Sequence, residues 1–154
     1  MDYPVLLRAI RAVEADAVPR LDAIVARART LGPLFVSRAY GAWYDQDEAR
    51  AAFAEGIDPV FVPPVAAGSV PSAAALVADG EAMLRGGQIQ ALALSGDDRL
   101  LPLVASAHAM NLPVALIAHS CLPDGPCVKL ASTAEPATAF VRQLTRAQRY
   151  RRSA

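Results

Sequence analysis

Short apolar runs alternate along this chain with longer stretches of helical periodicity. Residues 33–39 (PLFVSRA), 58–62 (DPVFV), 89–95 (IQALALS) and 113–118 (PVALIA) are brief and rich in branched or aromatic side chains, and each is expected to form a strand. Residues 19–31, 46–55, 72–85 and 99–110 are expected to form helices. In the first of these, Leu21, Ile24, Val25, Ala28 and Leu31 recur at helical spacing, with Pro19 at the opening turn and Gly32 past the end. Gly56 closes the second and Gly86-Gly87 the third. A last helix is expected over 134–149. Alternation of this kind builds βαβ units, and right-handed crossovers put helices on both faces of the sheet. The expected fold class is therefore α/β: three layers, with a mainly parallel sheet flanked by helices.

The 154 residues fit one domain, 1–154, with a basic C-terminal tail at 141–154. No internal repeat or linker interrupts it. The first 18 residues fit two patterns. Leu6, Ile10 and Val13 make a helical stripe, and a short strand ending near Val13 fits as well. Hydrophobic residues are 54% of the chain and charged residues 19%, which excludes a wholly disordered polymer. The 15 basic and 15 acidic residues cancel, which excludes a strongly basic nucleic-acid binder but not a local basic patch. No apolar run reaches the ~18 residues of a membrane span. Charges interrupt the apolar stretch of MDYPVLLRAIRAVEAD, unlike a signal peptide, so a soluble, cytoplasmic protein with no membrane partner is expected. Cys121 and Cys127 stand in SCLPDGPC with no nearby histidine pair. Two free thiols are expected there, not a zinc site.

In an open α/β sheet, ligands bind beyond the carboxyl ends of the strands. Ser95-Gly96-Asp97-Asp98-Arg99 follows one expected strand and precedes a helix, so Asp97 and Asp98 fall at that edge. Asp98 equally suits a helix cap. Glu14 and Asp16 precede another helix; Asp79 and Glu81 lie within one. Carboxylates converging on one edge suit Mg2+ or Mn2+, hard cations that prefer oxygen ligands and act on phosphodiesters.

The segment SGDDRLLPLVASAHAMNLPVALI resembles the most characteristic stretch of the NYN domains, PIN-like metal-dependent ribonucleases, whose pattern runs roughly SGDSDFxPLV. Ser95, Gly96, Asp97, Pro102, Leu103 and Val104 match in order. Arg38-Ala39-Tyr40-Gly41-Ala42-Trp43 resembles the family's R-x-YG-x-W, and VEADAVPRLDAIVARARTLG is similar to its first motif, IDADNVPP with a following helix. The resemblance spans about residues 10–120. It implies a PIN-like arrangement, Mg2+ or Mn2+ as cofactor and RNA as partner.

By that register Glu14 stands for the first acid, Asp16 for the next, and Ala17 replaces an Asn. In the middle motif Ala73 stands at a catalytic Asp position, with Asp79 six residues on. Asp97 is kept, but Arg99 replaces the last Asp. Two of four acids are thus lost. The resemblance implies Glu14 and Asp97 as catalytic ligands, with Asp16, Asp79 and Asp98 as further metal ligands. It places Arg38, Tyr40, Trp43, Ser95 and Arg99 toward RNA. Tyr40 and Trp43 are of a kind that stacks on bases, and Arg99 of a kind that grips a phosphate in place of the metal. The tail arginines Arg142, Arg146, Arg149, Arg151 and Arg152 suit phosphates as well.

The expected function is a domain of this ribonuclease kind with a depleted metal site, weak or inactive as a nuclease, that binds RNA or a partner protein. The alternative is an active Mg2+- or Mn2+-dependent ribonuclease using Glu14 and Asp97. An unrelated α/β domain is the third reading. An Ala-rich helix face would suit a homodimer.

Overall fold

The structure is a computed structural model and describes residues 1–65, 71–87 and 89–142. Its elements in chain order are α1 (Tyr3–Val13), β1 (Val18–Pro19), α2 (Leu21–Arg29), β2 (Arg38–Gly41), α3 (Gln46–Ala54), β3 (Asp58–Phe61), α4 (Ser72–Arg85), β4 (Leu92–Leu94), α5 (Leu101–Ala109), β5 (Val114–His119), α6 (Pro126–Leu130), β6 (Thr133–Pro136) and β7 (Val141–Arg142). Single 3-10 turns precede α5 and β7, at Asp98–Leu100 and Ala137–Phe140.

The fold is α/β with small parallel sheets. β2 pairs with β3, and β4-β5-β6 form a second set; both are parallel throughout. Residues 1 and 2 lie between the two sets. The Tyr40 N–H donates to the Met1 carbonyl at 2.9 Å, Asp2 makes a parallel bridge to Tyr40, and the Asp2 N–H donates to the Ser95 carbonyl at 2.7 Å. The hydrogen-bonding order is therefore β3, β2, residues 1–2, β4, β5, β6. β1 and β7 make a separate antiparallel pair.

Two apolar cores flank this array. β5 is buried along its whole length and alternates between them, as a strand covered on both faces must. Ala115 and Ile117 join Leu6, Ile10, Ile24, Val25 and Ile57 from the α1, α2 and β3 side. Val114 and Leu116 join Leu76, Leu84, Leu103 and Val104 from α4 and α5.

α1 resolves the ambiguity at the start of the chain in favour of helix. The Asp2 carboxylate caps it by accepting the Val5 N–H at 3.3 Å, Pro4 occupies the first turn, and Leu6 and Ile10 are buried while Arg8 and Arg11 face solvent. Helices expected at 46–55 and 72–85 agree with α3 and α4 to within a residue.

Two expectations fail. Residues 33–37 are not strand: Phe35 is 89% exposed, and the ladder begins only at Arg38. The helix expected from 134 is replaced over its described part by β6, a 3-10 turn and β7. There Ala137 and Phe140 bury into the core beside β5, and Thr133–Pro136 adds a parallel edge strand to β5. Residues 143–149 of that helix lie outside the described residues. The segment holding the cysteines leads into a short helix, α6, opened by Pro126.

Candidate functional site

Asp2 and Asp97 meet at the carboxyl edge of the strands. Asp2 is held there by its place between β2 and β4, and Asp97 by following β4 directly. The Asp2 side chain is fully buried. Its Oδ1 accepts the Ser72 hydroxyl at 2.8 Å as well as the Val5 N–H. Among the described residues its Oδ2 accepts no hydrogen bond.

Arg99 joins the two acids. Its Nε lies 2.9 and 3.1 Å from the two Asp97 oxygens, and its Nη2 lies 3.5 Å from Asp2 Oδ2. The Asp97 carboxylate also caps the 3-10 turn by accepting the Arg99 N–H at 3.1 Å. The Arg99 side chain remains 50% exposed, so it neutralises the acids from the solvent side.

The two carboxyls respond in opposite directions. Burial raises Asp2 above the ordinary carboxylate range, and hydrogen bonds from Ser72 and Val5 with the Arg99 charge offset only part of that. Burial would raise Asp97 too, but the Arg99 guanidinium and N–H outweigh it and hold Asp97 low.

Asp79 belongs to a different cluster. Arg38 Nη1 lies 2.6 Å from Asp79 Oδ2, and the Tyr40 hydroxyl donates to the same oxygen. Those two partners hold the Asp79 carboxyl low against the opposing effect of burial. Asp79 sits seven residues along α4 from Ser72, about 10 Å at the helical rise.

Asp98 turns away from both clusters. Its Oδ2 accepts the Leu122 N–H at 3.0 Å, and one of its oxygens and the Cys121 and Cys127 sulfurs all lie within 4.8 Å of one another. Among the described residues, this is the grouping of three or more metal-ligating side chains that the fold brings together. Cys121 and Cys127 are free thiols. Burial pushes Cys121 up to about 12, aided by Cys127 and Asp98 beside it, and raises Cys127 as well.

Glu14 and Asp16 stand elsewhere. Glu14 is the C-cap of α1, and Asp2 is the N-cap of the same helix. Twelve residues at the helical rise separate them by about 18 Å. Glu14 and Asp97 therefore do not share a site. Asp16 is exposed just beyond that far end.

The residues expected to face RNA divide similarly. Tyr40 is buried, and its hydroxyl is engaged by Asp79. Trp43 stacks on Tyr3 with ring centroids 4.6 Å apart, and its Nε1 donates to the Val60 carbonyl at 2.9 Å. Ser95 is buried and donates to the Ala118 carbonyl at 3.0 Å. Arg38 and Arg99 are the two of this group with exposed guanidinium surface. Arg142 is described in β7; the other tail arginines lie outside the described residues.

The donor set does not suit Mg2+ or Mn2+ while Arg99 stays in place. A divalent ion ~4 Å from a guanidinium is repelled by about 8 kcal/mol at an effective dielectric near 20. What the arrangement offers is a half-exposed guanidinium held on two carboxylates, a group of the kind that donates to anions.

Sequence reasoning missed Asp2. Nothing in the sequence marked it as part of the sheet, because its ladder segment is two residues long. It also missed Ser72. Ala73, placed at a lost acid position, is buried in the apolar core, while Ser72 beside it touches Asp2. Comparison of the chain with protein-family models, with curated proteins and with solved structures gives no match.

Proposed function

We infer that this chain is a PIN-like domain of the NYN ribonuclease kind that binds RNA phosphates without hydrolysing them. The observation that carries this reading is Arg99, whose guanidinium bridges Asp97 and Asp2 where a catalytic cation would have to sit. The resemblance at 95–104 and the parallel order of strands around Asp2 support the family assignment. In this account Arg99, its charge shared with Asp97 and Asp2, holds a phosphate through the N–H groups on the exposed side of its guanidinium. Arg38 adds a second exposed guanidinium, on β2.

The test is binding of a labelled single-stranded RNA in EDTA over a range of salt. Binding should need no metal and should weaken as salt rises. Each phosphate contact on a single strand contributes ~0.7 to the slope of log affinity against log salt, so Arg99→Ala should lower the slope by about that much. Salt-insensitive binding, or none by folded protein, contradicts the reading.

One observation favours hydrolysis instead. Asp2 Oδ2 is buried beside Asp97 and, among the described residues, accepts no hydrogen bond, as a ligand oxygen awaiting a cation would. That second reading requires Arg99 to leave both acids.

A further inference from the structure

We propose that Asp98, Cys121 and Cys127 form a binding site for a soft divalent cation of the zinc type, separate from the Asp2–Asp97–Arg99 cluster. Two stretches of the chain supply the donors, the turn that holds Asp98 and the SCLPDGPC segment that holds both cysteines. Asp98 comes from the 3-10 turn after β4, Cys121 from the loop after β5, and Cys127 from the first turn of α6. A carboxylate oxygen and the two sulfurs lie within 4.8 Å of one another. A tetrahedral zinc with bonds of about 2.3 Å to sulfur sets sulfur–sulfur separations near ~3.8 Å, so closing the site takes a movement of at most about 1 Å.

The surroundings are built to hold these groups in place. Asp98 Oδ2 is pinned by the Leu122 N–H, while Oδ1 is buried and, among the described residues, meets no donor within hydrogen-bond geometry. Both sulfurs are buried, and their S–H contacts are long: 3.9 Å from Cys121 Sγ to the Gly96 carbonyl and from Cys127 Sγ to that of Asp98. The Cys121 N–H donates to His119 Nδ1 at 3.1 Å, which fixes the loop. At Gly125 a Cβ would stand 2.9 Å from Asp98 Oδ1 and 3.0 Å from the Leu122 carbonyl, so the absent side chain leaves the carboxylate its space.

Two thiols select the ion. Soft thiolates favour zinc over Mg2+ or Mn2+, which want oxygen donors throughout. Binding expels one proton from each thiol to solvent, and the ion takes the place of that charge. Three protein ligands leave the fourth tetrahedral position to water. The bound ion would tie α6 and the loop at 120–125 to the turn that carries Asp97 and Arg99. The site does not depend on RNA binding.

The test uses the full chain, reduced and stripped of metal with a chelator, and Co2+ as a spectroscopic stand-in for Zn2+. One Co2+ per chain should bind with a thiolate-to-cobalt charge-transfer band, and Zn2+ should displace it. The band should be lost in Cys121→Ser and in Cys127→Ser, and binding should weaken in Asp98→Asn. In wild-type protein Zn2+ should also protect both thiols from alkylation, and EDTA should reverse this, a readout that needs no variant. Folded, reduced protein that gives no band and no protection overturns the proposal. So does a band that persists in Cys121→Ser, or a pair that forms a disulfide in air and binds no ion when reduced.

Discussion

Arg99 Nη2 stands 3.5 Å from Asp2 Oδ2, a fully buried oxygen that accepts no hydrogen bond among the described residues. The guanidinium is thus the counter-charge of a carboxylate that lies 97 positions earlier and has no access to water. Removing it leaves a buried acid unpaired. Arg99→Ala should therefore destabilise the fold by about 1–3 kcal/mol at neutral pH. The deficit should shrink as pH falls, because Asp2 then takes up a proton. Thermal midpoints of both proteins followed from neutral pH down through the acid range check this; a deficit that stays constant throughout contradicts it.

The wild-type protein should show a stability maximum on the acid side. Asp2 has a raised pKa in the folded state, so its contribution is present at low pH and is lost as pH rises through that folded value. Asp97 and Asp79 are held low, so their contribution is present above the unfolded value near ~3.9 and is lost as pH falls through their folded values. Lowering the pH from neutrality should first raise the thermal midpoint, then lower it. Asp2→Asn keeps a competent cap and should flatten the first limb. A profile with the same rising limb in Asp2→Asn would assign that limb to another group.

Much of the layering was legible because apolar residues repeat at the right periods. The run at 113–118 became β5, and 72–85 became α4 within its ends. The turn Ser95–Arg99 was placed at a strand's carboxyl end by the same logic. The failures have physical causes. Leu34, Phe35 and Val36 look like a strand but face solvent. Asp2 was invisible as a site residue because its ladder segment is too short to carry a pattern, and the acids of VEADAVP drew the register to Glu14 instead. In the Asp98, Cys121 and Cys127 grouping the two cysteines are close in sequence, but nothing local joins Asp98 to them. The grouping forms only when β4 and β5 pair and α6 folds back beside the turn.

The neighbour of Asp2 on α4 decides which substitution could rebuild an acidic site. Ser72 touches Asp2, and Ala73 is buried among Leu76, Leu103 and Val104. Ser72→Asp combined with Arg99→Asp should gain thermal stabilisation by Mn2+ that the wild type lacks. Ala73→Asp should instead cost several kcal/mol, on the order of an unpaired buried charge, with or without Mn2+. Mn2+ titrations followed by thermal melts separate the two. A response in Ala73→Asp and none in the double variant would shift the register by one residue.

Packing between α4 and α5 rests on a glycine. A Cβ at Gly80 would stand 2.5 and 2.9 Å from the two methyl carbons of Leu103, which is fully buried. Gly80→Ala should destabilise by about 1–3 kcal/mol through overpacking, despite the better helix propensity of Ala. Denaturant unfolding measures this. A neutral or stabilising result would mean that α4 and α5 pack less closely.

The central claim is that Arg99 takes the place of a catalytic ion. The direct measurement is cleavage of a labelled single-stranded RNA with Mn2+ and with EDTA, comparing wild type with Asp97→Asn. The account predicts no cleavage by wild type above that of Asp97→Asn in either condition, from protein shown to be folded. Mn2+-dependent cleavage that disappears in Asp97→Asn would contradict it, and would mean that Arg99 yields its place to a metal ion.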